Sequence, residues 1–242
     1  MAEDKERLDI FIHKKGLVGS RKTASDLIKD EKVLVNGVVV TKPSKEIDIN
    51  SKIEILELPK YVSRAGLKLE KALDIFNINV KNKIALDIGS STGGFTDCLL
   101  QRGIQKVYAV DVGTDQLHEK IRNDSRVISM EQTDIRKLEN LRDKVDFVVV
   151  DVSFISLELV LPNIKRFLKN GGEVMVLVKP QFEVGKEKIG KGGIVKEEKD
   201  RISVLEKIKK VCEDLNFKIE GQTESPIKGG DGNVEYLLYL KN

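Results

Sequence analysis

Two charged residues close apolar runs in this chain. Asp151 ends the run Val145–Asp151, and Lys179 ends Glu173–Lys179. Lysine is rarely buried without a partner, so a lysine closing a buried strand calls for a nearby carboxylate. Asp151 on a neighbouring strand end can serve. The competing reading is a lysine that snorkels to the surface. A third feature is the segment Asp87-Ile88-Gly89-Ser90-Ser91-Thr92-Gly93-Gly94-Phe95, which begins at the end of another apolar run. Glycines there let the backbone approach a nucleotide closely. Asp111 ends the next run, and a carboxylate there can accept both hydroxyls of a ribose. Asp134 follows a third run and can face an adenine amino group. Alone, each reads as a turn glycine or a solvated carboxylate. In this order, at strand ends, they outline a nucleoside site.

Glycine loop, ribose acid and adenine acid in this order resemble the S-adenosylmethionine (SAM) site of Rossmann-like methyltransferases. NAD is the rival. The spacing G-x-x-x-G-G is not the dinucleotide pattern G-x-G-x-x-G, and no Lys-Ser/Thr follows as in a P-loop. SAM carries no phosphate, which agrees with both absences. Strand-end residues Asp151-Val152-Ser153-Phe154 lack the Asp/Asn-Pro-Pro-aromatic motif of exocyclic-amine methylation. Cys98 and Cys212 fall on helical segments, so a cysteine nucleophile is disfavoured. They also match no metal spacing, and no metal is expected.

These residues need a frame, and the apolar pattern supplies one. Strands are predicted at Ile84–Ile88, Val107–Asp111, Val127–Met130, Val145–Asp151 and Glu173–Lys179. Helices are predicted between them at Thr96–Arg102, Gln116–Arg122 and Leu157–Leu168, the last closed by Gly171. A long helix, Lys199–Leu215, precedes strands near Phe217–Gln222 and Val234–Leu240. Short apolar runs separated by helices imply a mostly parallel sheet covered on both faces. The fold class is α/β and Rossmann-like, with seven strands.

The first 58 residues read as a separate small α+β domain. Leu8, Phe11 and Ile12 sit at helical spacing, and Ser20 can cap a second helix bearing Ala24, Leu27 and Ile28. Asn36-Gly37 between two valine-rich runs signals a hairpin with a type I′ turn. Ile53–Leu58 reads as a further strand. Residues 59–66 are a linker and 67–242 the large domain. Between His13 and Lys29, Lys14, Lys15, Arg21, Lys22 and Lys29 face Asp26 alone. Such an edge can grip phosphates, although a solvated face is the simpler reading of charge by itself.

The whole chain has 242 residues, 40% hydrophobic and 33% charged, with a formal net charge of +3. That balance excludes extensive disorder and does not by itself name a nucleic-acid partner. The longest apolar run, Val174–Val178, is far short of the roughly 20 residues a membrane span needs. Met1–Glu6 shows no signal-peptide pattern, and a cytoplasmic location is expected.

Tyr61–Ala72, Asp87–Arg102, Asp151–Phe154, Val178–Ile194 and Ser225–Leu240 closely resemble the TlyA family, also called haemolysin A or ribosomal RNA 2′-O-methyltransferase. The first 58 residues resemble an S4-type RNA-binding domain, and the remainder an FtsJ-like methyltransferase domain. The resemblance implies a Lys-Asp-Lys-Glu tetrad at Lys68, Asp151, Lys179 and Glu235. Without it, Lys68 is an ordinary helix lysine and Glu235 an ordinary strand residue. It also implies SAM as methyl donor, bound by Asp87, Gly89, Ser90, Ser91, Thr92, Gly93, Gly94, Phe95, Asp111 and Asp134. The implied substrate is a cytidine ribose in ribosomal RNA, within a subunit or the ribosome. Arg7, Lys14, Lys15, Arg21, Lys22 and Arg64 are the candidate RNA contacts. Ala65 stands where relatives often carry Gly, and Ser90 where Ala is common. Lys179 is the proposed base or hydroxyl-orienting group; carboxylates favour its ammonium form and Lys68 its neutral form, a balance the sequence leaves open. The Gly- and Lys-rich segment Pro180–Lys196 reads equally as a loop closing over RNA or as plain surface. Two rival functions remain: a SAM-binding assembly factor without catalysis, and a membrane-active haemolysin, for which the apolar runs are too short.

Overall fold

The computed structural model describes residues 4–229 and 232–242. Residues 1–3, part of the start read for a leader, and 230–231 lie outside them. The chain divides into two units, Met1–Ser63 and Arg64–Asn242.

The first unit runs β1 (Lys5–Arg7), α1 (Leu8–Lys14), α2 (Arg21–Lys29), β2 (Val33–Val35), β3 (Val38–Val39), β4 (Glu46–Asp48) and β5 (Ile53–Ile55). Ser20 caps α2, its Oγ accepting the Thr23 N–H at 3.0 Å. Asn36 and Gly37 both adopt positive φ, +51° and +80°, as a type I′ turn between β2 and β3 requires. β5 pairs with the other edge of β2. Leu8, Phe11, Ile12, Ala24, Leu27 and Ile28 form the core with Val33 and Val35. The β1–β4 ladder was not foreseen. Each strand is three residues long, too short for alternation to show.

The second unit runs α3 (Ala65–Ile75), β6 (Ile84–Ile88), α4 (Gly94–Gln101), β7 (Lys106–Val110), α5 (Glu119–Arg122), β8 (Val127–Met130), β9 (Val145–Val150), α6 (Leu157–Val160), β10 (Leu168–Val178), α7 (Glu198–Asp214), β11 (Lys218–Glu224) and β12 (Tyr236–Lys241). Its seven strands are ordered β11-β12-β10-β9-β6-β7-β8. The strands from β10 to β8 are parallel, and β12 runs antiparallel to both neighbours. Phe147–Val150 and Val174–Val176 are fully buried, which is why these strands read as unbroken apolar runs. Strand order reverses between β6 and β9, and a crevice beyond their carboxyl ends is the natural ligand position.

The expected helix Leu157–Leu168 is one α-turn followed by a 3-10 turn, Leu161–Asn163. Pro162 removes a donor and cannot sit within a continuing helix. Leu168 already pairs with Val145 in the sheet, and the register shifts before Glu173. Gly171, at φ +70°, therefore lies inside that strand irregularity and closes no helix. The expected helix Gln116–Arg122 shortens to α5 because Glu131 accepts the Asp115, Gln116 and Leu117 N–H groups at 2.7–3.0 Å.

Candidate active site

The glycine loop begins at β6. Gly89 has φ +81°, and a Cβ there would lie 2.4 Å from the Asp151 carbonyl oxygen. Parallel strand ends thus meet so closely that only glycine fits. Gly93, at φ +91°, starts α4. Asp111 ties this loop to the next: Oδ2 accepts the Ser91 N–H and Oδ1 the Gly113 N–H, both at 2.8 Å. An ionised carboxylate has about four acceptor positions, so capacity remains for a ribose diol.

Asp87 is fully buried. Its Oδ2 accepts the Thr96 hydroxyl at 2.6 Å. Among the described residues, its Oδ1, like the buried Ser90 Oγ, has no hydrogen-bond partner. Such orphans are rare in native folds and point to a ligand group. Asp87 lies at the carboxyl end of β6 and Ser90 on the loop after it, where the cofactor is expected, so the residues present fit one. Burial pushes the Asp87 carboxyl up to about 7; the Thr96 hydroxyl opposes this, and the charges of Asp151 and Asp111 add to it.

Asp134 is committed elsewhere. Both oxygens take the Arg136 guanidinium at 2.6–3.1 Å. That grip outweighs desolvation and holds the carboxyl down at about 2. An adenine amino group at Asp134 would share its carboxylate with the Arg136 guanidinium. Arg136 lies two residues on, a spacing that could have signalled the pair.

The other expected residues gather as two ion pairs. Lys68, on α3, meets Glu235 at 2.5 Å, with both side chains at least nine-tenths buried. Lys179 Nζ lies 2.6 Å from Asp151 Oδ1. That contact is ionic without hydrogen-bond alignment, and Nζ donates instead to Ser153 Oγ at 2.9 Å. Val178 pairs with Tyr236 across β10 and β12, so Lys179 and Glu235 stand at adjacent strand ends. Asp151 donates its N–H to Ile88, one residue before Gly89. The lysine–carboxylate chemistry and the glycine loop therefore share one end of the sheet.

Two residues here were missed. Ser153 holds Lys179, as just described. Phe154 has φ +62° and is 91% exposed, with its ring 5.0 Å from Phe182. A bulky residue rarely adopts this backbone region, and such strain concentrates at functional sites. The only signal in the sequence was an aromatic residue just past a strand end.

The segment after Lys179 is tethered. Lys188 pairs with Asp200 at 2.8 Å. Arg201 donates to the Val195 and Lys196 carbonyls. Buried Asn233 accepts the Val195 N–H and donates to Gly193, both at 2.9 Å. Lys186 and Lys191 remain exposed.

In the first unit, the basic cluster is more committed than its sequence suggested. Buried Asp9 receives Arg7 at 3.0 Å and Arg21 at 2.8 Å. Burial raises the Asp9 carboxyl, but hydrogen bonds from both arginines bring it below the ordinary value. Lys14 pairs with Glu6. Lys15 sits over the Phe11 ring with an exposed head, and Lys22 is exposed. Arg64 immediately precedes α3.

A glycine loop follows β6, and the final strand, β12, runs antiparallel between β10 and β11. The FtsJ-like methyltransferase model matches residues 61–242, and the S4 domain model residues 6–53. The chain is 48% identical to Hemolysin A of Brachyspira hyodysenteriae, covering 97% of this chain and 99% of that protein. It is 39% identical to the 16S/23S rRNA (cytidine-2′-O)-methyltransferase TlyA of Mycobacterium tuberculosis, covering 97% and 89%. A solved structure named as a hemolysin, from Streptococcus thermophilus, matches at 46% identity with a TM-score of 0.79, covering 100% and 90%. The chain belongs to the FtsJ-like methyltransferases, in the TlyA/hemolysin A family, and is a methyltransferase with an N-terminal S4 domain. Among the described residues, no helix is long and apolar enough to cross a membrane.

Proposed function

We propose that this chain methylates a ribose 2′-hydroxyl of ribosomal RNA, with SAM as the donor. The observation that carries this reading is Lys179, held between Asp151 Oδ1 and Ser153 Oγ beside the glycine loop. A 2′-hydroxyl is a poor nucleophile until its proton is taken or shared. Lys179 orients that hydroxyl and, in its neutral form, takes its proton as the oxygen attacks, becoming an ammonium beside Asp151. Asp151 fixes the lysine, and the buried Lys68–Glu235 pair keeps a second cation at the same end of the sheet. Much of the rate comes from alignment of the reacting atoms. When bound, SAM supplies a methyl group activated by its sulfonium. Asp87, Ser90, the backbone of Gly89–Phe95 and Asp111 would hold it, with Asp134, bound by Arg136, on the adenine side.

RNA fits the remaining surface. The exposed Phe154 ring offers a base a stacking face. Lys186 and Lys191 offer charge to phosphates, and the S4 domain adds Lys15 and Lys22. The Mycobacterium tuberculosis relative is named for cytidine in both subunits' RNA, and a cytidine is the target expected here, reached in the cytoplasm. The test combines radiolabelled SAM with unmodified small and large subunits, separate and assembled, followed by alkaline hydrolysis. Label in an alkali-resistant dinucleotide is expected, and Lys179→Ala should abolish it while changing SAM affinity no more than a few-fold. No label in any subunit, with SAM bound, would instead support a non-catalytic assembly factor.

A further inference from the structure

Glu183 links the two catalytic loops by bonds that the reaction itself does not use. Its Oε1 accepts the Leu157 N–H at 2.8 Å, and its Oε2 accepts the Ser156 hydroxyl at 2.6 Å. On one side of this link, the turn Pro180–Phe182 fixes Glu183 relative to Lys179. Phe182 N–H donates to the Lys179 carbonyl, and Glu183 N–H to that of Pro180, both at 3.0 Å. On the other side, Ser156 starts α6, three residues after Ser153. Lys179 Nζ donates to Ser153 Oγ. The bonds therefore close a ring: Lys179 to Glu183 along one loop, across to Ser156, back to Ser153, and across to Lys179. Both arms are short, so the closed ring has little freedom. Phe154 lies inside it, in the strained backbone described above, a conformation that persists only where its surroundings over-determine it.

A simple helix cap does not explain this carboxylate. α6 is a single turn, which adds little stability of its own, and Ser156 Oγ already accepts the Glu158 N–H. Burial also raises the Glu183 carboxyl above its ordinary value, against the pull of Ser156 and Leu157. The position is costly to the fold, as functional positions often are.

We propose that Glu183 is a positioning residue, a clamp that holds the Asp151–Ser156 loop against the Lys179–Glu183 turn so that Lys179 meets its substrate hydroxyl in register. This rests on the methyltransfer reading above. It touches neither reactant, and it acts through Lys179 and Ser153.

The test compares Glu183→Ala, Glu183→Gln and Ser156→Ala in the full chain. Glutamine can keep both links, because its oxygen accepts Leu157 N–H and its amide donates to Ser156 Oγ. Glu183→Ala should lower kcat by roughly 10- to 100-fold, the scale of a small misplacement, with SAM affinity and the KM for RNA within about threefold. Glu183→Gln should restore kcat to within about threefold of wild type, and Ser156→Ala should fall between. Hydrogen exchange supplies a readout independent of activity. Amides of 153–157 should exchange faster in Glu183→Ala and at the wild-type rate in Glu183→Gln. Unchanged kcat in Glu183→Ala, or equal damage in both Glu183 variants, overturns the clamp. If the wild-type chain transfers nothing to ribosomal RNA, the functional reading fails, and exchange alone decides the clamp: unaltered protection in Glu183→Ala refutes it.

Discussion

Asp87 carries a cost that its neighbours make visible. In an unfolded chain its carboxyl ionises near 3.8, whereas burial holds it near 7 in the fold. Below about pH 3 both states are protonated and nothing is lost. As pH rises towards 7, the unfolded state ionises and the folded state resists, so stability falls across that window. The loss is complete above the folded value and amounts to about 4 kcal/mol at most. Asp87→Asn removes the ionisation and can still accept the Thr96 hydroxyl. Its stability advantage over wild type should therefore grow from near zero at about pH 3 to its full size above pH 7, as read by chemical denaturation. SAM binding should weaken in the same variant, because a cationic ligand favours the ionised carboxylate. A stability difference that is flat with pH would refute this account of Asp87.

At the scale of elements, the α1–α2 turn changes how its charges are read. Sequence counted five basic residues against Asp26, but Asp9 lies four positions outside that window and captures Arg21 together with Arg7. Arg21 thus stabilises the unit, and Lys15 and Lys22 are left to meet phosphates. Replacing both lysines by alanine should weaken binding to ribosomal RNA without shifting the melting temperature. It should also reduce the slope of log affinity against log salt by roughly 1.5. Arg21→Ala should instead lower thermal stability, since it weakens the bracket on a buried carboxylate. Equal salt slopes for the double variant and wild type would remove Lys15 and Lys22 from the RNA surface. Legibility followed the same division. β6 and β9 were readable because buried parallel strands are largely apolar runs, and the β2–β3 turn because Asn-Gly suits positive φ. Asp151 and Lys179 were readable because charge at the end of such a run is unusual. Lys68 and Glu235 were not, because their partnership spans 167 positions and neither has an abnormal local setting. The same holds for Glu183 with Ser156 and for Asp9 with Arg21, partners that the fold brings together. The helix expected through Leu168 failed because apolar spacing continued past Pro162.

At the scale of the whole molecule, each unit contains its own core. Leu8, Phe11, Ile12 and Ile28 pack within the first. Leu86, Val148, Val176 and Leu238 pack within the second, which also holds both ion pairs and the glycine loop. On the proposed reading, the methyl-transfer residues and the RNA contacts of the S4 domain lie in separate units joined by one chain. A tether turns the second of two weak contacts into an intramolecular event at millimolar effective concentration, and the gain over either contact alone can be 10²- to 10⁴-fold. Residues 64–242 expressed alone should thus bind SAM within about twofold of the full chain, because every proposed cofactor contact is retained. Their KM for the ribosomal RNA substrate should rise by at least about 100-fold, while kcat at saturating RNA stays within a few-fold. Adding residues 1–63 as a separate chain should not restore the KM, since the tether is gone. Steady-state kinetics on the same subunit substrate separate these outcomes. A fragment with the full chain's KM would assign RNA recognition to the catalytic unit alone, and a fragment with normal KM but lost kcat would mean that the S4 domain helps assemble the Lys179 site.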